Sequence, residues 1–169
     1  MKNKLFINFI IFVLICLGSN LKAETIFFDS TNIKIEENGN MIFATKGQAK
    51  IPSSNLVIEG DKFIYNKINS ELVIIDDVKY FDDENNIYIE SDKIIYNELK
   101  NTIFSKSETF IKSEDDYEIN SNDVLYDRNL NKILSNEYTK ISDKNLNSFI
   151  FKRGLIFELV PEIIFSNEV

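Results

Sequence analysis

The stretch IEGDKFIYNKINSELV, Ile58 to Val73, decides the fold of this chain because it is one copy of a repeated motif. The motif recurs without a gap as IESDKIIYNELKNTIF, Ile89 to Phe104, and more loosely as INSNDVLYDRNLNKIL, Ile119 to Leu134. A fainter copy, FDSTNIKIEENGNMIF, covers Phe28 to Phe43, so that successive copies start 30, 31 and 30 residues apart. Self-similarity at a fixed period predicts a stack of one structural unit.

Each copy is predicted to form a β-hairpin. The first, sixth and eighth columns are apolar or aromatic, and in the second copy they are Ile58, Phe63 and Tyr65. Turn residues such as Asn38-Gly39 follow these columns, and Asn-Gly between strand-like runs is a strong hairpin signal. The apolar residues alternate instead of recurring every three or four positions. The repeats therefore predict roughly eight antiparallel strands through Ile141.

The alternation of apolar residues breaks once in every copy. The first apolar position of the motif is odd-numbered, whereas the sixth and eighth are even-numbered, so a regular strand would point them to opposite faces. Either the first strand of each hairpin buries both faces, or a bulge near Asp61 and its equivalents switches the buried face. The small third-column residue, Gly60 in the second copy, fits a crowded bend and favours the bulge. Beyond the repeats, Phe149 to Leu159 predicts one further strand before Pro161.

Residues 1–23 have the pattern of a secretory signal peptide. Lys2 and Lys4 precede an apolar run from Leu5 to Leu17, and cleavage is expected after Ala23. The large Leu21 at the −3 position leaves an uncleaved anchor as the alternative. The remainder, residues 24–169, has the length of one domain, with its clearest repeats over residues 28–141.

Composition excludes several classes of site. The single cysteine, Cys16, lies in the predicted signal peptide, and the chain contains no histidine. We therefore expect no disulfide, cysteine nucleophile, histidine base or Cys/His metal site, and no cofactor. After removal of residues 1–23, 16 basic residues face 27 acidic ones, a net charge of −11. Such a charge disfavours nucleic acid as a partner.

Carboxylate clusters occur at Asp76-Asp77, Asp82 to Glu84 and Glu114 to Asp116. They could serve a paired-carboxylate hydrolase, whereas the spaced pattern of a calcium loop is absent. Because they fall in predicted turns, we interpret them as solvated acids. Asp61 and Asp92 occupy the same column of successive repeats and are predicted to organise the bend. The chain is thus predicted not to be an enzyme.

The repeated aromatic and apolar residues are informative as a set. The repeated Tyr65, Tyr96 and Tyr126 could stack on sugars or bases, but without interleaved basic residues they are predicted to pack in a core or groove. A meander of strands with one apolar face, and no helix to cover it, must bury that face. It can curl onto itself or enclose an apolar ligand.

The repeats resemble the OstA-like family of lipopolysaccharide-transport proteins, which includes LptA and the N-terminal domain of LptD. The residues that carry the resemblance are Ile89 to Lys93, Ile58 to Lys62, Tyr126 to Arg128, and Gly47 to Ile51, which is similar to the family's Gly-Asn-Val-x-Val strand. It covers roughly Thr25 to Ile141, and its specificity comes from periodic recurrence because the motifs are short.

The resemblance implies an all-β fold, in which repeated hairpins form a folded antiparallel β-jellyroll ("β-taco") with an apolar groove. It implies a non-enzymatic protein that binds the acyl chains of lipopolysaccharide and helps carry it across the periplasm to the outer membrane. Burying each CH₂ is worth about 0.8 kcal/mol, so a groove could hold several chains. The protein would be periplasmic or outer-membrane associated. It would be LptA-like, an LptD N-terminal module, or LptC-like if Leu5 to Leu17 stays as an anchor.

Alternation and recurrence place twelve apolar residues on the inner face of the predicted groove. They are Phe28, Leu56, Ile58, Tyr65, Val78, Tyr80, Ile87, Ile89, Tyr96, Ile111, Ile119 and Tyr126. Two alternatives to a lipid carrier stay open. One is a structural or adhesive secreted β-repeat protein with a dry core and no lipid cargo, and the other is a carbohydrate enzyme with paired carboxylates.

An unclosed meander also predicts how the chain associates. Its first edge, Ile26 to Glu36, and its apolar C-terminal end, Phe149 to Leu159 and Ile163 to Phe165, would leave unpaired backbone groups. We expect the C-terminal edge to add to the N-terminal edge of another Lpt-type β-jellyroll or of a second copy. Such a head-to-tail contact would give an open-ended homo-oligomer.

Overall fold

A computed structural model describes residues 25–114, 117–159 and 163–166. The predicted signal peptide, the anchor alternative and Pro161 lie outside these residues. The described chain forms fourteen strands and two short 3-10 turns, Glu37–Gly39 and Pro52–Ser54. The strands are β1 (Phe27–Glu36), β2 (Met41–Ile51), β3 (Leu56–Asn66), β4 (Glu71–Asp82), β5 (Ile87–Asn97), β6 (Thr102–Ser105), β7 (Thr109–Lys112), β8 (Glu118–Ser121), β9 (Val124–Asp127), β10 (Lys132–Ser135), β11 (Thr139–Ser142), β12 (Ser148–Phe151), β13 (Leu155–Glu158) and β14 (Ile163–Ser166).

All fourteen strands belong to one antiparallel sheet that does not close, which confirms the predicted fold class. Strands β1 to β5 are sequential neighbours along their whole length. β5 then pairs with β6 through its C-terminal half and with β7 through its N-terminal half. From this point each long strand of the repeat is divided in two, which is why the strands outnumber those predicted from the repeats.

The division creates two halves of the sheet, which we call the first and second arms. The first arm holds the halves of β1–β5 that end at the turns 37–40, 67–70 and 98–101, followed by β6, β9, β10, β13 and β14. The second arm holds the other halves, which end at the turns 52–55 and 83–86, followed by β7, β8, β11 and β12. The line between the arms is the crease, and the two rows of turns are the rims.

In the first strand of the hairpins, such as β3 and β5, the buried residues change parity at the crease, as the sequence predicted. In β4 they keep one parity, from Leu72 to Tyr80. In β3 the buried residues are Leu56 and Ile58 before the crease but Phe63 and Tyr65 after it. The register between β3 and β4 shifts between Glu59 and Lys62. A shift of one residue turns side chains to the opposite face, so both arms bury their apolar side chains between them.

The extra residue of this bulge lies on β4 and not on the strand of Asp61. Asp76 and Asp77 both adopt positive φ, 65° and 50°, and the register between β4 and β5 also shifts beside them. Gly60, opposite this point, has no room for a side chain because an added Cβ would lie 2.5 Å from Cγ2 of Ile74. The small third-column residue therefore reflects crowding at the crease.

The core lies between the two arms. The rings of Tyr80 on the second arm and Tyr126 on the first are 6.5 Å apart in a T-shaped arrangement. Nearer the N-terminal edge, Phe28 of the second arm packs edge-on against Phe63 of the first at 6.0 Å. Edge-to-face pairs are favourable geometries for buried aromatic rings. The arms are thus held together by side chains that interdigitate across the fold.

The C-terminal part of the chain differs from the sequence expectation. The single strand predicted over Phe149 to Leu159 is two strands, β12 in the second arm and β13 in the first. The apolar residues Ile163 to Phe165 form β14, which pairs with β13 at the end of the first arm. The repeat therefore continues past Ile141, although its sequence motif has faded.

Candidate functional site

The twelve residues predicted to line a groove all face the space between the arms. Eleven are buried, at most 7% exposed, and Phe28 is half-buried and packs against the same core. Ile58, Tyr80 and Tyr96 are 0% exposed. In the described structure the two apolar faces therefore pack against each other and fill the groove with their own side chains.

The inner face is exposed at the N-terminal end of the fold. Ile33 and Ile35 pair across the sheet with the inward residues Ala44 and Ile42, and directly opposed residues share a face. Ile33 and Ile35 are nevertheless 49% and 62% exposed, because no further strand covers β1. These two residues occupy the sixth and eighth columns of the faintest copy of the repeat. They were not among the twelve residues predicted to line the groove, although their columns were the available signal.

The opposite end of the second arm shows the same feature. Phe149 and Phe151 on β12 pair with the inward residues Ile141 and Thr139. Phe149 is 44% exposed, whereas Ile141 one strand inward is fully buried. The inner apolar face therefore continues to both ends of the stack and reaches solvent there.

A buried ion pair joins the two rims midway along the stack. Arg128 follows β9 on the rim of the first arm, and Asp82 ends β4 on the rim of the second. Nε and Nη2 of Arg128 donate to the two carboxylate oxygens of Asp82 over 2.7 and 3.1 Å. Their side chains are 3% and 0% exposed. A bidentate, charge-assisted pair of this kind is among the strongest hydrogen-bonded contacts in proteins.

Further hydrogen bonds surround the pair. Tyr126 donates its hydroxyl to Asp82 over 3.0 Å. Arg128 also donates to the carbonyl of Ser54 over 3.1 Å and to the side-chain oxygen of Asn101 over 2.8 Å. We call Asp82, Tyr126 and Arg128 the rim latch, because they bridge the mouth of the folded sheet.

The electrostatics of the rim latch favour the ion pair. Burial opposes ionisation of Asp82, but the hydrogen bonds from Arg128 and Asn85 outweigh it, and the pKa of the carboxyl lies below its usual range. Burial, followed by the charge of Asp82, raises the pKa of the Tyr126 hydroxyl well above its usual value. Tyr126 therefore stays a neutral hydrogen-bond donor.

The prediction that Asp82 is a solvated turn acid is wrong. Its side chain points into the interior, since Tyr80 and Asp82 share one face of β4. One signal was available in the sequence: Arg128 is one of only two arginines beside 17 lysines. Arginine is preferred over lysine where planar, bidentate pairing with a carboxylate is needed.

One polar atom near the rim latch is unsatisfied. The hydroxyl of Tyr80 is buried and has no hydrogen-bond partner. Burial, and then the charge of Asp82, raises the pKa of this hydroxyl well above its usual value. An unpaired buried hydroxyl is costly, so Tyr80 weakens the packing between the arms at this point.

Serine and threonine hydroxyl groups line the inner side of the crease, and the sequence did not predict this cluster. Thr109 donates to Ser105 over 2.8 Å, and Thr139 donates to Ser121 over 3.0 Å. Ser105 and Thr109 precede Ser135 and Thr139 by 30 residues, so the repeat period was the signal. These bonds satisfy polar groups at the base of an otherwise apolar interior.

The described residues contain no group of three or more His, Cys, Asp or Glu side chains that could hold a metal ion. Nor do they include a helix with the length and hydropathy needed to cross a membrane. The chain matches no protein-family model, and a comparison with curated proteins found no significant relative.

Proposed function

We propose that this protein is a non-enzymatic lipid carrier that takes the acyl chains of lipopolysaccharide between its two arms. The observation that carries the proposal is the arrangement of the arms. Two apolar faces oppose each other, and in the described part of the chain no strand pairing crosses the space between them. The arms are joined by main chain at the crease and by side chains elsewhere. They can therefore separate without breaking the sheet.

Three features support entry of a lipid. The inner face reaches solvent at Ile35 and Phe149, where a chain can make its first contact. The rim latch is a discrete contact that must open for the mouth to widen. The crease is lined by hydroxyl groups that are already hydrogen-bonded to one another. A lipid chain would therefore contact the apolar side chains that lie between the crease and the rims. Each CH₂ that enters is worth about 0.8 kcal/mol, which offsets lost contacts between the arms.

A second function is favoured by the closed interior. Side chains that bury one another fully form a self-packed core, and such a core is what a structural or adhesive secreted β-repeat protein needs. In that case the rim latch would fasten the fold permanently. The two functions differ in whether the inner face ever contacts lipid.

Photo-crosslinking in a lipopolysaccharide-producing host separates them. A photoreactive residue at Ile35 or Phe149 lies on the exposed ends of the inner face, where it does not disturb the core. One at Lys34 or Ile150 lies on the outer face beside it and is the matched control. Carriage predicts capture of lipopolysaccharide from the two inner positions only.

The comparison of Phe149 with Ile150 is the sharpest, because both side chains are apolar and exposed, 44% and 59%. Equal capture at the two positions would mean nonspecific contact with lipid. No capture at any position, together with no lipid in the mass spectrum of extracts from the purified protein, would favour the structural function.

Partners of this carrier would bind at its edges. β1, β12 and β14 each have one neighbour in the described sheet, and unpaired edges invite strand addition. We propose that another Lpt-type β-jellyroll, or a second copy head to tail, pairs with these edges and continues the inner face. Deletion of the residues after Lys152 removes β13 and the β14 edge and should abolish open-ended growth through that edge in a concentration series. A strict monomer before the deletion would exclude head-to-tail growth.

A further inference from the structure

The outer face of the first arm carries a continuous apolar row, which we call the outer ladder. Cross-strand partners on nine successive strands, β2 to β6, β9, β10, β13 and β14, are all apolar. The row begins at Phe43, passes through Ile64, Phe104, Leu125 and Leu134, and ends at Phe165. Directly opposed residues touch along a sheet face, so the row is one surface.

The outer ladder is partly open to solvent. Leu125 and Phe165 are 37% and 48% exposed, and the other members are intermediate in exposure. None of them faces the interior, because their neighbours along each strand, such as Ile103 and Tyr126, do. A long exposed apolar surface is typical of an interaction site.

The second arm lacks such a row. On its outer face, Glu59, Lys79 and Glu90 are cross-strand neighbours. Its longest apolar run covers three strands, through Val57, Phe81 and Tyr88. The difference between the arms shows that an apolar outer face is not required by the fold.

Charged rows of opposite sign flank the outer ladder. On the rim side lie Glu71, Asp127 and Glu158, the last paired with Lys132. On the crease side lie Lys62 and Lys93; Lys62 is partly neutralised by Asp76, 2.6 Å from its Nζ. Further along this side, Lys106 lies beside Phe104 and is accompanied by one acid, Asp123, so the row stays basic on balance. We call these rows the acidic and basic flanks.

We propose that the outer ladder is the face through which two copies of this chain pack as a closed dimer, sheet on sheet. A two-fold axis parallel to the ladder places the acidic flank of each copy over the basic flank of the other. Contact between copies through the same patch stops at two. Twisted sheets pack face to face in this way with their strands about 30° apart.

The available area fits a dimer. The nine strands are separated by eight spacings of about 4.8 Å, and with three rows of side chains they give a face of about 38 Å by about 17 Å, or roughly 650 Å² per copy. Two such faces bury about 1,300 Å², which lies within the range of specific interfaces. The compensated flanks also reduce the repulsion expected between acidic chains.

Sedimentation of the secreted chain over a concentration series tests the dimer. We expect the mass to reach two chains by about 10 µM, because interfaces of this size have dissociation constants of about micromolar or lower. Growth beyond two chains belongs to the strand edges and does not depend on the outer ladder. Leu125→Thr with Leu134→Thr should abolish the dimer. Val57→Thr with Phe110→Thr, on the outer face of the second arm, should leave the dimer unchanged.

Variants in which the charge of one flank is reversed test whether the partner is a second copy of this chain. Lys62→Glu with Lys93→Glu makes both flanks acidic, and Glu71→Lys with Glu158→Lys makes both basic. Each variant alone should be monomeric, while an equimolar mixture should dimerise. Lys79→Glu with Lys140→Glu, on the second arm, controls for net charge.

A monomer at every concentration would overturn the proposal. So would a dimer that the leucine changes do not affect, since its contact would then lie outside the outer ladder. A mixture of the two charge variants that stays monomeric would also overturn the assigned arrangement.

Discussion

Replacement of Arg128 by methionine tests the rim latch directly. Methionine keeps much of the length and apolar stem of arginine but removes its donors, so both hydrogen bonds to Asp82 are lost. The carboxylate would then remain buried with Tyr126 and Asn85 as its described donors. Removing one partner of a buried ion pair typically costs about 3–5 kcal/mol.

For a domain of this size we therefore expect the Arg128→Met variant to melt about 6–20 °C below the wild type. Urea unfolding of residues 24–169, followed by far-ultraviolet circular dichroism, measures the free-energy change. Lys140→Met is the matched control because Lys140 is exposed on the outer face of the second arm. It should change stability by no more than about 0.5 kcal/mol.

A double-mutant cycle separates the ion pair from general loss of packing. Asp82→Asn removes the charge that Arg128 compensates, so the double variant should be more stable than the sum of the single effects predicts, by at least about 1 kcal/mol. If the lipid carrier is correct, Arg128→Met should also take up a fluorescent fatty acid faster. Additive effects, or a loss in Arg128→Met no larger than in the control, would refute the latch.

Three further predictions concern the same fold. The pKa of Asp82 is depressed in the folded state, so its stabilising contribution is complete above about pH 4 and is lost as the pH falls below that. The urea concentration at the midpoint of unfolding should therefore decrease below about pH 4. Asp82→Asn should make this decrease smaller. Thr139→Val removes a buried donor to Ser121 and should cost about 1–3 kcal/mol in the same assay. Gly60→Ala should cost about 1–3 kcal/mol through its contact with Ile74, and a neutral result would show that the crease can relax.

The repeats were sufficient to predict the class of fold and the inward side chains of the central strands β3, β4 and β5. Ile58 and Phe63 recur at fixed columns, and their change of parity predicted a bulge at the level where the structure has one. The bulge residues themselves, Asp76 and Asp77, were not predicted, since their role depends on the neighbouring strands. The outer ladder had a local signal: adjacent columns are both apolar, as at Ile103 and Phe104, and two adjacent strand residues cannot face the same side.

The sequence by itself thus determined the hairpin period, the alternation of faces and the apolar character of the interior, because these are properties of neighbours along one strand. Only the tertiary structure decided that the sheet folds at the crease and closes on its own side chains. It also decided that Asp82 meets Arg128, 46 residues away in the chain. The physical reason is that contacts between the arms depend on the angle at the crease and on how many strands stack. No local pattern of apolar residues specifies either quantity.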